Sequence, residues 1–242
     1  MIVLALDTTA AAGSLAVCDG PRVLAELTGD PARPHGERLP GDILRVLAQA
    51  GQPLEAVALF VVASGPGAFT GLRIGIATVQ GFAFALGRPA VGVSALEAHA
   101  TLLAALPACP PGDLLGVWMD AARGEVFQAI YERVPEDQTL RPVVPDRVGA
   151  PQDLVAIARP PDGRGACWTG SGAVRYRGVL AGDPSKRIVE RLPPLARGVA
   201  WLGLAAHAAG RSGPPHAIQP LYVRRPDAEL ARERRDLSGR PA

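Results

Sequence analysis

The 242-residue sequence has little cysteine, a single lysine and no long uninterrupted apolar run. Its three cysteines, Cys18, Cys109 and Cys167, are far apart and odd in number, which argues against a disulfide framework and a paired-cysteine zinc site. We therefore expect a reducing, cytoplasmic environment. No apolar run approaches the ~18 residues of a membrane span. Residues 1–6 are apolar with no basic stretch before them, which predicts a buried strand rather than a signal peptide.

An excess of one charge is also lacking, because 25 basic residues face 23 acidic ones for a net charge of +2. No global field would therefore hold a polyanion such as RNA. Two small clusters, Arg224 with Arg225 and the arginines of residues 232–235, lie near Tyr222 and could contact RNA, since arginine pairs with phosphate and stacks on bases. Acidic residues interleave the two clusters, which favours an ordinary solvated surface.

The chain is rich enough in apolar residues, at 48%, to fill a sizeable core. Its apolar pattern predicts an α/β protein that opens in the order β-β-β-α-β-α-β-α. The first strands are expected at residues 2–6, 14–18, 22–27, 57–63 and 90–93. The first helices are expected at residues 39–50, 71–86 and 95–106, with Pro40 in the first turn of its helix. The proline-rich residues 107–112 are expected to join an N-terminal lobe, 1–107, to a less regular C-terminal lobe, 108–225, and 226–242 to form a frayed tail.

The second half begins as the first did. An apolar strand at residues 114–119 ends in Asp120 and is followed by Gly124 and a strand at 125–131, as residues 4–7 are followed by Gly13 and its strand. Residues 166–173 likewise repeat residues 62–68, a strand that runs into a Gly-x-Gly-Ala loop before a helix. These matches predict an internal duplication. Helices at residues 151–158 and 195–209 and a strand at residues 221–223 complete the prediction.

A candidate nucleotide or phosphate loop lies at the ends of two predicted strands. Asp7, followed by Thr8 and Thr9, ends the first strand, where ligands of open sheets collect. Gly65 and Gly67 lead from a buried strand into a helix whose free amides could cradle an anion. The spacing is not that of a P-loop. The alternatives stay open: Asp7 would bond the amides of its own turn, and the glycines would form a tight turn that packs the helix on the sheet.

No metal site and no catalytic triad are predicted. His99 lies four residues after Ala95 on a predicted helix, and a metal pair on one helix face would need histidine at both places. We therefore expect His99 to be satisfied by a neighbouring backbone or carboxylate group, Glu97 to be a solvated helix charge, and the chain to bind no stoichiometric transition metal. Neither Ser64 nor Ser94 has an obvious histidine and aspartate that would complete a Ser-His-Asp triad.

The predicted helix at residues 71–86 is apolar over most of its circumference, so it must be covered on more than one side. We predict that its glycines let a neighbouring helix approach and that the two helices share an apolar seam with a partner. The residues of this predicted partner interface are Leu39, Ile43, Val46, Gly71, Ile74, Gly75, Thr78 and Phe82.

Several motifs together resemble one known family. They are LALDTT at residues 4–9, His35 with ERLP at 37–40, SGPGAFTGLRIG at 64–75, GVSAL at 92–96, MDAARGEV at 119–126 and PLYVR at 220–224. The chain is similar in these stretches, which are dense up to residue 131, to the bacterial TsaB family, also called YeaZ. The resemblance implies a two-lobed actin-like fold, shared with Hsp70 and sugar kinases, in which each lobe is a mixed sheet with flanking helices.

The resemblance also implies a non-catalytic role. Family members pair with the paralogous subunit TsaD and the ATPase TsaE, while threonylcarbamoyl-AMP donates its group to the adenosine at position 37 of tRNA. The paralogue carries a histidine pair for a metal at the positions of Ala95 and His99. A homodimer when alone, tRNA contact only through the complex, and ATP or ADP at a subunit boundary rather than on this chain are further expectations. The alternative is an ATP-dependent transferase or kinase of the same fold that uses Asp7 or Asp120.

Overall fold

The computed structural model describes residues 1–134, 139–156, 164–182 and 185–224. The predicted tail and the predicted arginine cluster at 232–235 lie outside these residues, as does Arg225. The described strands form two five-stranded sheets. The strands of the first sheet are β1 (Ile2–Asp7), β2 (Ser14–Asp19), β3 (Arg22–Thr28), β4 (Val57–Gly65) and β5 (Ala90–Ser94). Those of the second sheet are β6 (Leu114–Asp120), β7 (Val126–Arg133), β8 (Leu140–Gly149), β9 (Ala166–Thr169) and β10 (Lys186–Ile188).

The two sheets repeat one topology. The first has the order β3-β2-β1-β4-β5 and the second has the order β8-β7-β6-β9-β10. In both, the first strand along the chain pairs antiparallel with the second and parallel with the fourth. The predicted fold class of two mixed sheets with flanking helices is confirmed, and the repeated order agrees with the internal duplication expected from the sequence.

The helices form three layers around the sheets. Their bounds are α1 (His35–Gln49), α2 (Phe69–Ala85), α3 (Ala95–Ala104), α4 (Pro151–Val155), α5 (Ser171–Arg175), α6 (Arg177–Leu180) and α7 (Leu195–Ala208), with 3-10 turns at Leu54–Ala56 and Pro215–Ala217. Helices α1 and α2 cover the outer face of the first sheet, and α3 and α7 pack in the core between the sheets. Trp118 and Trp168 fill a further core on the outer face of the second sheet. No helix among the described residues is long and apolar enough to cross a bilayer.

Helix α1 begins earlier than its apolar pattern predicted. Pro40 is its sixth residue and so does not lie in the first turn, where the sequence placed it. A proline at this position cannot donate to the carbonyl group of Gly36. Both Pro40 and Gly36 are exposed, so water can hydrate that carbonyl group. The helix therefore tolerates a proline that a buried helix would not.

The chain from α7 onwards returns to the first sheet. The amide of Ala196 donates to the Ser14 hydroxyl (3.0 Å), and Arg197 forms an ion pair with Glu26 on β3. Helix α7, which the prediction includes in the C-terminal lobe at 108–225, thus packs on the first sheet, while Arg224 donates to the Ala121 carbonyl group (2.7 Å) beside the second sheet. The predicted strand at residues 221–223 is wrong, since this segment is irregular and is attached through the amide of Leu221, which donates to the Ser64 carbonyl (2.7 Å).

Candidate functional site

Asp7 is the last residue of β1, and its carboxylate bonds to the turn that follows the strand. Its Oδ1 accepts hydrogen bonds from the Thr9 amide (2.8 Å) and the Thr9 hydroxyl (2.6 Å). Burial raises the pKa of this carboxyl group, and the two bonds from Thr9 act in the opposite direction. Thr8 beside it is fully buried, and its hydroxyl has no hydrogen-bond partner. The structure thus shows the local capping alternative for Asp7.

The glycines around this turn make room for the chain itself. A β-carbon at Gly67 would lie 2.5 Å from the β-carbon of Thr9, and one at Gly71 would lie 2.1 Å from the Thr8 carbonyl oxygen. A β-carbon at Gly65, whose φ is 135°, would lie similarly close to the carbonyl oxygen of Leu221. The five residues of the candidate phosphate loop are therefore brought together, and the chain fills the space around their glycines. This agrees with the tight-turn alternative, and phosphate binding there stays a prediction.

Arg38 on α1 supports the loop that follows this turn. Its guanidinium group is 3% exposed and donates to the Asp42 carboxylate (2.6 Å) and the Ala11 carbonyl (3.3 Å). His35 also links α1 to this loop. Its Nδ1 lies 2.9 Å from Arg38 Nη2, and its Nε2 lies 3.0 Å from the Ala10 carbonyl oxygen. This spacing fits a hydrogen on Nε2, which donates to Ala10. Nothing in the sequence indicates that the Arg38–Asp42 pair is buried, because i and i+4 charges on a helix are commonly exposed.

A cleft of about 660 Å³ lies where the carboxyl ends of β1, β4 and β6 face each other. Its walls are largely apolar and include Leu72, Met119 and Phe127. Asp120, which is at its edge, accepts from Arg175 (2.6 Å) and from the Ala122 amide (3.0 Å). Like Asp7, this carboxylate is therefore engaged in local bonds, which disfavours the transferase or kinase alternative that would use either group.

The predicted partner interface divides into a buried and an accessible part. Leu39, Ile43 and Val46 are buried in the core beneath α1, and Gly71 and Gly75 are buried as well. The prediction that these five residues meet a partner directly is wrong for the chain as folded, because none presents a surface. The closest neighbour of both glycines is Thr8, whose hydroxyl would lie 2.2 Å from a β-carbon at Gly75, while the His35 ring of α1 would lie 3.6 Å from a β-carbon at Gly71.

The remaining predicted interface residues, Ile74, Thr78 and Phe82, are partly exposed on α2. Beside them are Ala77, Gly81, Phe84 and Ala85, which are exposed; we call these seven residues the α2 outer face. It carries no charged side chain, and Phe84 is 82% exposed. Leu44 on α1 is also exposed, at 58%. Leu44 and Phe84 were not among the predicted interface residues; for Leu44, a large apolar residue on an exposed face of α1 was a usable signal.

Comparisons with known proteins agree on one family. The family model described as "TsaD: tRNA N6-adenosine threonylcarbamoyltransferase" matches residues 27–172. A protein titled "YeaZ from Pseudomonas aeruginosa" has a solved structure that covers 91% of this chain and 99% of its own, with a TM-score of 0.76 and 28% identity. A second Pseudomonas aeruginosa structure, of an uncharacterized protein with similarity to peptidase YEAZ, has a TM-score of 0.75, 30% identity and coverages of 92% and 99%. The chain belongs to the TsaB (YeaZ) family.

Two curated relatives extend these matches over the whole length. TsaB of Bacillus subtilis is 28% identical over 233 residues, which cover 95% of this chain and 96% of that protein. An uncharacterized protein of Mycobacterium leprae is 34% identical over 232 residues, and the match covers 94% of this chain but only 56% of that protein. The repeated sheets are therefore those of the fold that this chain shares with the solved YeaZ structure of Pseudomonas aeruginosa.

The positions that hold the metal pair in the TsaB family's paralogue do not fit a metal here. Ala95 is fully buried and has no ligating atom. Burial lowers the pKa of His99 to about 4, and its Nδ1 has no hydrogen-bond partner, so the expectation of a satisfied histidine is wrong. Glu97 is not a solvated charge either, because burial raises its pKa. No group of three potential ligands occurs within the described residues.

Proposed function

We propose that this chain is the non-catalytic, cytoplasmic partner subunit of the complex that makes N6-threonylcarbamoyladenosine at position 37 of tRNA. In this role it pairs with TsaD and activates it together with the ATPase TsaE. The Bacillus subtilis relative is named a tRNA threonylcarbamoyladenosine biosynthesis protein, which supports the pathway. On this proposal tRNA is contacted through the complex, and ATP or ADP is bound at a subunit boundary rather than by this chain alone.

The observation that carries the non-catalytic role is the pair of residues on α3. The residue at position 95 is alanine, and the one imidazole nearby, that of His99, is partly buried and stays neutral near pH 7, because burial lowers its pKa to about 4. A neutral imidazole can ligate a metal, but here no second ligand accompanies it on the helix face. The carboxylates Asp7 and Asp120 are engaged in local bonds. The chemistry therefore belongs to the partner.

The α2 outer face supports a role in association. Monomeric proteins rarely leave a contiguous apolar patch uncovered, and this helix has no charged side chain between Arg73 and Arg88. Arg73 itself is occupied, since its guanidinium group lies 4.0 Å from the centre of the Phe69 ring and donates to the Tyr222 hydroxyl (3.1 Å). We propose that TsaD covers the face in the complex and that a second copy of the chain covers it when TsaD is absent.

The purified chain is expected to transfer no threonylcarbamoyl group to tRNA from threonylcarbamoyl-AMP, because it lacks the ligand set. Adding TsaD and TsaE is expected to yield the modified adenosine, with less product when the chain is left out. Mass spectrometry of tRNA digests measures the product. Transfer by the chain alone would contradict the non-catalytic role, and an equal yield without the chain would contradict the activating role.

Replacing Phe84 by glutamate is expected to weaken association with TsaD at least about tenfold, since a buried unpaired charge costs several kcal/mol. The fold should survive, because Phe84 is 82% exposed. Phe82 is a poorer choice for this test, as its ring stacks on Phe60 with centroids 6.4 Å apart. Analytical ultracentrifugation with and without TsaD, beside a thermal melt, measures both properties.

The matched control is Val143→Glu, which adds the same charge at an exposed apolar residue of the second sheet. This variant should bind TsaD as the unchanged chain does. Undiminished binding by a folded Phe84→Glu variant would place the interface away from α2. Equal weakening by both variants would mean that added negative charge, rather than the α2 outer face, accounts for the loss.

A further inference from the structure

Two of the three cysteines lie together in the fold although they are far apart in the sequence. Cys109 is in the connection between α3 and β6, and Cys167 is in β9, the strand next to β6. Each of the two thiols affects the pKa of the other. The Cys167 Sγ also lies 3.6 Å from the carbonyl oxygen of Ala108, the residue before Cys109. The two sulfur atoms are therefore neighbours across the junction of the lobe connection and the second sheet.

Both cysteines are held in place through their backbones. The Cys109 carbonyl oxygen accepts a hydrogen bond from Arg133 Nη2 at 2.6 Å. The same Nη2 donates to the Ala104 carbonyl oxygen, also at 2.6 Å. Cys167 is in register between Leu115 on β6 and Arg187 on β10. Both positions are thus fixed by the backbone of the folded chain.

Arg187 covers the pair on the solvent side. Its Nη2 lies 3.5 Å from the Cys167 Sγ, its side chain is 51% exposed, and it also forms an ion pair with Asp113. The cysteines are buried, at 1% and 0% exposure, and the partly exposed Arg187 side chain lies between Cys167 and the surface ion pair with Asp113. The charge of the guanidinium group favours the thiolate form of Cys167, whereas the Asp113 carboxylate, whose Oδ2 lies 3.9 Å from the Cys167 Sγ, opposes it.

The electrostatics make the two thiols unequal. The hydrogen bond from Cys109, aided by Arg187, lowers the pKa of Cys167 to about 7, so that much of it is thiolate at neutral pH. The same hydrogen bond, with burial and the charge of Cys167, raises the pKa of Cys109. Cys18, by contrast, is buried elsewhere, and burial raises its pKa to about 11. A reactive thiolate next to a second thiol is the usual arrangement of a redox-sensitive pair.

We propose that Cys109 and Cys167 are a reversible modification site that closes to a disulfide when the protein meets hydrogen peroxide. The Cys167 thiolate attacks a peroxide oxygen, the O–O bond breaks, and hydroxide leaves as Cys167 becomes a sulfenic acid. The Cys109 sulfur then attacks the Cys167 sulfur, the S–O bond breaks, and the departing hydroxide takes the Cys109 proton as water. In total, two thiols and one peroxide give one disulfide and two waters.

The first step prepares the second. Three causes raise the pKa of Cys109, and two of them are the negative charge of Cys167 and the hydrogen bond to its thiolate. Formation of the sulfenic acid removes both. Cys109 therefore becomes easier to deprotonate once its neighbour is oxidised. The resulting bond would tie the connection between the lobes to β9, and cellular thiols would reopen it, as is usual for disulfides of reducing compartments.

Peptide mapping of the full chain tests the proposal. Trypsin places the cysteines on separate peptides, residues 1–22, 74–123 and 165–175, because Arg88 precedes a proline and is not cleaved. After reduction, removal of the reductant, peroxide treatment and alkylation in denaturant, we expect peptides 74–123 and 165–175 to be joined. Their joint mass should be about 2 Da below the sum of the two free thiol peptides. Peptide 1–22 should be alkylated.

Variants separate the proposed chemistry from incidental oxidation. Cys109→Ser should abolish the link and leave Cys167 as a sulfenic acid that dimedone traps. Arg187→Gln should slow the oxidation and move its half-maximal pH upwards from about 7, whereas the same change at the exposed Arg191 should do neither. Full alkylation of peptides 74–123 and 165–175 in the oxidised, unchanged chain would overturn the proposal, as would a bond that involves Cys18.

Discussion

Replacing Arg38 by alanine is expected to lower the free energy of unfolding by about 3–5 kcal/mol. The substitution leaves the Asp42 carboxylate in a buried position without its main cation, and it removes the donor that holds the Ala11 carbonyl. Both losses leave polar groups without partners where little water can reach them. Urea denaturation followed by circular dichroism measures the change.

Arg45→Ala is the matched control, because Arg45 pairs with the same carboxylate, at 2.9 Å, from an exposed position. Its side chain is 56% exposed, so its loss should cost no more than about 1 kcal/mol. Similar losses for the two variants would show that Arg38 does not support the loop by a buried bond. A loss of under about 1 kcal/mol for Arg38→Ala would contradict the expectation outright.

Alanine at Gly71 is expected to destabilise the chain by roughly 1–3 kcal/mol, although alanine is the better helix former. The reason is that the new β-carbon would lie 2.1 Å from the Thr8 carbonyl oxygen, a backbone atom that cannot turn away. The turn that holds Asp7 and Thr9 would have to move away from α2. Thermal and urea unfolding, at one protein concentration for all variants, measure the effect.

Gly81→Ala on the same helix should change stability in the opposite direction, by about 1 kcal/mol. Gly81 is exposed, and no atom lies within 4 Å of its added β-carbon. The pair therefore separates close packing from helix propensity. Stabilisation by both alanines would mean that α2 does not rest on Thr8 as the structure describes.

Much of the first sheet could be predicted because each strand there has a local signal. Apolar runs such as that of β4 end in glycine and proline, and these breaks are independent of tertiary contacts. The second sheet was harder. Strand β8 is mostly exposed and contains Pro142 and Pro145. An edge strand tolerates prolines, but in a sequence they argue against predicting a strand. Strand β10 has only three residues and was missed for that reason.

The site shows the same division between local and tertiary information. Asp7 and Gly67 could be placed together because parallel strands end at one sheet edge. Whether their loop is open or filled depends on how closely α2 approaches Thr8, and no periodicity encodes that distance. The meeting of Cys109 with Cys167 and the burial of Leu39 depend on tertiary packing in the same way. Phe84 lies within the helix predicted at residues 71–86, but its exposure depends on which side of that helix the rest of the chain leaves uncovered.

The return of α7 to the first sheet bears on how the chain acquires its structure during synthesis. Residues 1–107 emerge from the ribosome first, yet one face of their sheet is covered by α7, whose Ala196 and Arg197 bind β2 and β3. The ribosome adds roughly 5–20 residues per second, so this face lacks α7 for several seconds after β5 has been made. During that interval Val3, Ala5 and Val61, which α7 and α3 bury in the finished protein, lack part of their cover. The first sheet therefore completes its packing only after α7 has been made, so the N-terminal half does not mature independently of the second half.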